Sequence, residues 1–198
     1  MTSPGSQTHM VLGYLLAKNG VKADEVKIIG AGGNTMPLAI EKDTVHAGIL
    51  VDPFFTVFLK QGKGYALVDM FTTKGTIEAM GGEVQGTTLL TRPDVIAKRP
   101  ATVQKMVNAL VRANKFIVGS SGAELATMLP KEISGDLTLY AESFEHSREA
   151  FTPDSLVTRD GVARVIETMR VFGAVPAGMK LEPESLFDNK FVLKALGR

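Results

Sequence analysis

The sequence predicts an α/β protein whose C-terminal half is rich in helices. Three short apolar runs predict buried β-strands: VKIIG at 26–30, VHAGILV at 45–51 and YALVDM at 65–70. Helical segments with short connections separate these runs. The order strand, helix, strand, helix, strand is typical of a parallel sheet, because two parallel strands need a crossover between them.

The helices of the first half follow from periodicity and from their end residues. The first is predicted from Gln7 to Asn19, where apolar residues recur at helical spacing and Gly20 follows as a stop. The Gly-rich segment 30–35 leads into a second, short helix. A third helix starts at Pro53, a residue that suits the first helical turn.

The second half is predicted to be mostly helical. The segment GTTLLTRPDVIAKRP at 86–100 predicts a strand and a short turn or helix, and it precedes the clearest helix of the chain, at 102–118. The apolar face predicted for this helix contains Val103, Met106, Val107, Leu110, Val111 and Ile117. Further helices are predicted at 121–129, 136–151 and 159–172. We place a domain boundary near Gly81-Gly82, which gives an α/β unit at 1–84 and a helical unit at 85–198.

Composition excludes several classes of protein. The 22 basic and 21 acidic residues are spread along the chain and give a net charge of +1, so we expect no nucleic-acid partner. The absence of cysteine excludes disulfides, thiolate zinc sites and cysteine nucleophiles. No apolar run approaches the ~20 residues that span a bilayer. The first residues also lack the basic and then apolar pattern of a signal peptide.

The turn before the first helix is the best candidate binding site. Right-handed crossovers place the carboxyl ends of all parallel strands at one edge of a sheet, and ligands bind there near helix N-termini. Unpaired N–H groups and the helix dipole would attract an anion at such a turn. The predicted ligand-binding residues are Ser3, Gly5, Ser6, Gln7, Thr8, His9, Asn34 and Asp52.

Each of these residue types also has a purely structural interpretation. Ser3 or Ser6 could cap the first helix and bind nothing else. Asn34 could cap the second helix, and Asp52 could cap the third. The sequence leaves these alternatives open.

No pattern in the sequence indicates catalysis, a metal site or a cofactor. GAGGNT at 30–35 lacks the third glycine of the dinucleotide fingerprint. His9, His46 and His146 are far apart and lack the local spacing of metal ligands. We therefore predict a protein that is not an enzyme and that carries no cofactor.

Three segments resemble the substrate-binding proteins of bacterial ABC importers in the nitrate, sulfonate and taurine group, the SsuA-like or NMT1/THI5-like family. These segments are TSPGSQTHMVLGYLLAKNGVKADEVKIIGAGG, MPLAIEKDTVHAGILVDP and LFDNKFVLKAL. The resemblance is strongest over residues 2–70. It implies a periplasmic-binding-protein-like fold of type II, in which two α/β lobes grip a ligand between them.

The resemblance also implies a function and a departure from the family pattern. We expect a periplasmic protein that binds a small anionic or zwitterionic organic solute and delivers it to an ABC permease. In the family a strand precedes the turn that Ser3–His9 resembles, so we expect this chain to begin inside the fold, as an N-terminally truncated relative. Residues 1–84 would be the second lobe without its first strand, and 85–198 the crossover and helical remainder of an incomplete first lobe. The exposed sheet edge would favour a homodimer.

Two other functions use the same scaffold. One is the effector-binding module of a LysR-type regulator, although the helical C-terminal half fits that class poorly. The other is an enzyme of thiamin-pyrimidine or menaquinone synthesis. The thiamin type resembles this family but depends on a cysteine cluster, which a chain without cysteine does not have.

Overall fold

The computed structural model describes all residues from Met1 to Arg198. Eleven α-helices follow one another along the chain: α1 (Gln7–Lys18), α2 (Met36–Glu41), α3 (Phe54–Lys60), α4 (Thr73–Met80), α5 (Pro93–Lys98), α6 (Pro100–Gly119), α7 (Gly122–Met128), α8 (Lys131–Ser134), α9 (Leu137–His146), α10 (Arg159–Val171) and α11 (Lys190–Ala195). Three 3₁₀ turns lie at Ala23–Glu25, Arg148–Ala150 and Pro183–Ser185. The helix-rich C-terminal half is confirmed.

The predicted strands do not form a sheet. Residues 26–30, 45–51 and 65–70 lie outside the helices, but no backbone hydrogen bond joins any two of these segments. The segment 86–100 also forms no strand, and α5 is the short helix predicted within it. The α/β assignment is therefore not confirmed, because a strand exists only when neighbouring backbone groups pair with it.

Backbone hydrogen bonds join the first residues of the chain to the Gly-rich loop. The amino group of Met1 donates to the carbonyl oxygen of Ile29 at 3.3 Å, and the amide of Ala31 donates back to Met1 at 3.1 Å. The amide of Gly32 then donates to the carbonyl oxygen of Thr2 at 3.0 Å. The first two bonds have the pattern of a single parallel bridge, and all three fix the start of the chain beside the Gly-rich loop.

Most ends of the predicted helices are confirmed within a few residues. The exception is α9, which ends at His146, five residues before the predicted end. α6 begins with Pro100 at its first position and buries Val103, Val107 and Val111, which are spaced four residues apart. Met106 and Leu110, predicted on the same face, are about half exposed. The buried stripe is therefore narrower than the sequence predicts.

Helix packing joins the two predicted units. α6 packs against α11, where Phe191 lies among the three buried valines. α7 packs closely against α9, since a Cβ at Gly122 would lie 2.5 Å from the carbonyl oxygen of Ala141. α1 packs on α10 and α3 on α9, so helices from both sides of residue 84 contact each other. The boundary at 84 stays a prediction.

The buried core is small. Only 22 of the 198 residues are buried, so many apolar side chains of the extended segments remain at the surface. Tyr65 is 82% exposed, Leu67 76% and Leu90 86%. None of the helices has the length and hydropathy needed to cross a membrane.

Candidate functional site

The turn before α1 is held by a closed set of hydroxyl hydrogen bonds. Thr2 Oγ1 lies 3.0 Å from Ser6 Oγ and 2.7 Å from Thr8 Oγ1, and the Ser6 and Thr8 oxygens are 2.9 Å apart. Ser6 is the N-cap of α1: its Oγ accepts from the amide of His9 and lies 2.6 Å from the carbonyl oxygen of Ser3. The capping interpretation is therefore correct for Ser6. Thr2, which the sequence did not single out, completes the set.

Part of the anion site predicted at this turn still has unpaired hydrogen-bond donors. The amides of Gln7 and Thr8, in the first turn of α1, have no hydrogen-bond partner in the structure. The Ser3 hydroxyl makes no hydrogen bond either, and Ser3 is exposed. Gly5 has a φ of +75°, a left-handed conformation that favours glycine, and its amide donates to Nδ1 of His9 at 3.0 Å. Two backbone donors and one hydroxyl thus remain for a ligand.

The Gly-rich loop lies directly against this turn. The amides of Ala31 and Gly32 donate to carbonyl oxygens at the start of the chain. Gly30 packs closely on Pro4, since a Cβ at Gly30 would lie 3.2 Å from Cδ of Pro4. Asn34 is exposed, and its side chain makes no hydrogen bond. It does not cap α2, whose N-cap is Thr35. The structure therefore brings the turn and the loop together, with the Asn34 amide free.

Asp52 has structural roles in a different place. Its Oδ1 accepts from the amide of Thr56 at 2.9 Å and so satisfies the first turn of α3. Its Oδ2 lies 3.2 Å from Nδ1 of His146, and the Asp52 side chain is 8% exposed. Asp52 makes no hydrogen bond with the turn at 2–9, so the structure separates it from the other predicted ligand residues.

His146 forms the centre of an ionic cluster that sequence reasoning missed. Its Nε2 lies 2.8 Å from Oδ2 of Asp69, while Nδ1 faces Asp52. The rings of Phe55 and Phe71 pack on the imidazole with centroids 5.5 Å and 5.1 Å away. Asp52 was predicted, although as a ligand residue, and Asp69 could have been found in the same way, because each follows an apolar run at the end of a predicted strand. His146 lies 77 residues beyond Asp69 and has no local signal.

The surroundings of His146 favour its charged form. Burial alone lowers the pKa of His146, but the hydrogen bonds and negative charges of Asp69 and Asp52 outweigh it, and the pKa is raised above 6.5. The preceding residue, Glu145, accepts from Arg148 at 2.7 Å and from the amide of Gly122 at 2.6 Å. These bonds lower the pKa of Glu145 to about 2.

A cavity of about 680 Å³ lies beside this cluster, between α3, α9 and the start of α7. Its lining contains Phe55, Thr56, Leu59, Lys60, Ser121, Ala123, Ala141, Glu142, Glu145 and His146. Lys60 and Glu142 pair across it at 3.2 Å. No cluster of three or more acidic or histidine side chains has the geometry to hold a metal ion.

The comparisons with known proteins agree with the sequence resemblance at the level of the family. The model of the NMT1-like family matches residues 1–129, about two thirds of the chain, and the chain belongs to this family. No curated protein sequence matches the chain significantly.

A solved structure of a protein from Bordetella bronchiseptica RB50 is similar to this chain, with a TM-score of 0.84 and 29% sequence identity. The match covers 98% of this chain and 62% of the Bordetella protein. The chain therefore spans less than two thirds of the length of that protein, although almost all of its own residues have a counterpart there.

Proposed function

We propose that this chain is a solute-binding protein of the kind that serves ABC importers, and that it takes a small anionic or zwitterionic solute such as a sulfonate, taurine or nitrate. The observation that carries the proposal is the pair of unpartnered amides, Gln7 and Thr8, at the N-terminus of the 12-residue helix α1. The helix dipole adds partial positive charge at this point. A small anion accepts hydrogen bonds from such amides.

Three further facts support this function. The Gly-rich loop lies against the turn, so a ligand there would meet the backbone of two segments. The Ser3 hydroxyl and the Asn34 amide are exposed and unpaired, and they can complete the hydrogen bonds of a sulfonate or carboxylate. The NMT1-like family includes substrate-binding proteins of ABC importers. The membrane permease of such an importer, a periplasmic location and a two-lobed periplasmic-binding-protein-like fold of type II belong to the same proposal.

The protein would bind its solute without transforming it. A general base needs a free lone pair, and both ring nitrogens of His146 face carboxylates. Nδ1 of His9 already accepts from the amide of Gly5. The third histidine, His46, is exposed and lies away from the turn in sequence. The Thr56 hydroxyl lies 3.3 Å from Nδ1 of His146, but the same nitrogen faces Asp52, which favours the charged ring, and in that form Nδ1 has no lone pair to accept the Thr56 proton.

The test is a binding screen with a variant that removes one amide. Titration calorimetry with taurine, alkanesulfonates, nitrate, amino acids and pyrimidines identifies the class of solute. Gln7→Pro then deletes the Gln7 N–H without breaking α1, because proline suits the first helical position. The extended conformation of Ser6 also suits a residue before proline.

We expect Gln7→Pro to weaken binding about tenfold or more, since a hydrogen bond to a charged group contributes about 1.5–3 kcal/mol. Gln7→Ala keeps the amide and is the matched control, with unchanged affinity expected. Equal affinity of the proline and alanine variants would overturn the assignment of the site. Failure of all five classes to bind would overturn the function.

A further inference from the structure

The His146 cluster joins three parts of the chain that are distant in sequence. Asp52 lies just before α3, Asp69 lies just before α4, and His146 is the last residue of α9. A positive charge at the C-terminus of a helix is favoured by the helix dipole. The ring therefore has three sources of negative potential around it, two carboxylates and the end of its own helix.

Hydrogen bonds to both carboxylates at once require the doubly protonated ring. Each ring nitrogen lies within hydrogen-bond distance of a carboxylate oxygen, Nδ1 at 3.2 Å from Asp52 and Nε2 at 2.8 Å from Asp69. A neutral imidazole has one N–H, so one of its nitrogens would direct a lone pair at a carboxylate. Loss of the proton must therefore break one of the two contacts.

Thr56 decides which contact breaks. Its Oγ1 lies 3.3 Å from Nδ1 of His146 and can donate a hydrogen bond to that nitrogen. Nε2 has no such alternative partner, and its contact with Asp69 is the shorter one. The neutral ring that fits the site thus keeps N–H on Nε2, accepts from Thr56 at Nδ1 and loses Asp52.

Other charged groups near the ring are paired with partners of their own. Around His146 these are Lys60 with Glu142, Glu145 with Arg148, Glu124 with the N-cap of α7, and Glu149 with the amide of Thr73. The carboxylates that contact the ring itself are those of Asp52 and Asp69.

We propose that His146 is a proton-dependent latch on Asp52. When the ring is charged, it holds Asp52 and Asp69 together and ties α9 to the start of α3. When the ring loses a proton, it stays on Asp69, takes the Thr56 hydroxyl and releases Oδ2 of Asp52. The released carboxylate oxygen lies beside Thr56 and His146, which line the cavity between α3 and α9.

Imidazole ¹⁵N spectra recorded across pH 5 to 9 test the latch on the intact chain. His146→Gln assigns the signals by loss of one ring. We expect His146 to titrate at a higher pH than a histidine in an unstructured peptide, and its neutral form to carry the proton on Nε2. A midpoint at or below that of the peptide, or a neutral form protonated on Nδ1, would overturn the proposal.

Two variants separate the latch from a general effect of burial. Thr56→Val removes the hydroxyl that supports the neutral ring, so the His146 midpoint should rise further. Asp52→Asn removes the charge that supports the charged ring, so the midpoint should fall while the Nε2–H tautomer persists. Unchanged His146 midpoints in both variants would contradict the proposed latch. Should either variant fail to fold, the midpoint and tautomer of the unmodified chain still decide the question.

Discussion

Ser6 and Ser3 stand three positions apart in the same turn but have different roles. The Ser6 oxygen caps α1 and joins the hydroxyls of Thr2 and Thr8, whereas the Ser3 side chain makes no hydrogen bond. Both residues have the small hydroxyl side chain that favours a cap or an anion site. The structure thus assigns helix stability to Ser6 and leaves Ser3 available for a ligand.

This difference gives a prediction at the level of single residues. Ser6→Ala should lower the free energy of unfolding by about 1 kcal/mol, because the capping bond to the His9 amide is lost. Ser3→Ala is the matched control and should change stability by less than about 0.5 kcal/mol. Urea denaturation of the two variants measures both values. Equal effects would contradict the capping role of Ser6.

The His146 cluster gives a second prediction, for pH dependence. The pKa of His146 in the folded protein is raised above its ordinary value, so the folded state binds the proton more tightly than the unfolded chain. The resulting stabilisation is fully present below about pH 6.5 and is lost as the pH rises through the folded pKa. Unfolding midpoints measured between pH 6 and 9 should fall for the unmodified chain.

His146→Gln is the control for this pH dependence. Its unfolding midpoint should vary less over the same range, because glutamine does not titrate. If the variant loses as much stability between pH 6 and 9 as the unmodified chain, another group is responsible.

Among the elements, α11 shows how a short helix depends on packing. It has six residues, and a helix of this length is not stable alone. Phe191 anchors it in the valine stripe of α6, and the Gln104 side chain donates to the backbone carbonyl of Phe191 at 2.9 Å. Phe191 and this hydrogen bond therefore hold α11 against α6, together with the partly buried Val192, Ala195 and Leu196.

Phe191→Ala should destabilise the protein by about 3 kcal/mol, since a large buried ring is removed. Leu193→Ala is the matched control on the same helix, because Leu193 is 36% exposed. Hydrogen exchange should show faster exchange of the α11 amides in the first variant only. Similar exchange in both variants would show that Phe191 is not the anchor.

α4 was missed by sequence reasoning, while α1, α6 and α10 were found. The missed helix, TKGTIEAM, contains a glycine and β-branched residues, which are poor helix formers. Its N-cap Thr72 accepts from the amide of Gly75, and the Tyr14 hydroxyl donates to the carbonyl of Met80 at its end. Long helices with regular apolar spacing could be predicted because their signal is local. α4 depends on partners from α1.

For the whole molecule, the exposed apolar segments are the main feature. Tyr65, Leu67, Leu89 and Leu90 lie outside the helices and are largely exposed, and residues 65–68 have no backbone partners in the other extended segments. Extended segments with free backbone groups and apolar side chains tend to pair with another chain. We therefore predict that the chain associates with itself at high concentration.

Sedimentation velocity tests the prediction of self-association. The double variant Leu67→Lys and Leu90→Lys should shift the protein towards the monomer without loss of helix, because both side chains are exposed. Met128→Lys, in α7, is the control, since Met128 is 64% exposed but lies in a helix. A clean monomer of the unmodified chain at high concentration would contradict the prediction.

The sequence by itself determined that the main helices form and where most of them begin and end, and that the turn at 2–9 lies beside a helix N-terminus. These features depend on interactions between residues a few positions apart in the chain. Such local interactions form whatever the tertiary packing is. Only the tertiary structure decided that His146 meets Asp52 and Asp69, that Thr2 completes the hydroxyl set, and that the three apolar runs do not pair with one another. Contacts of this kind depend on how distant segments pack, and no local pattern of residues encodes them.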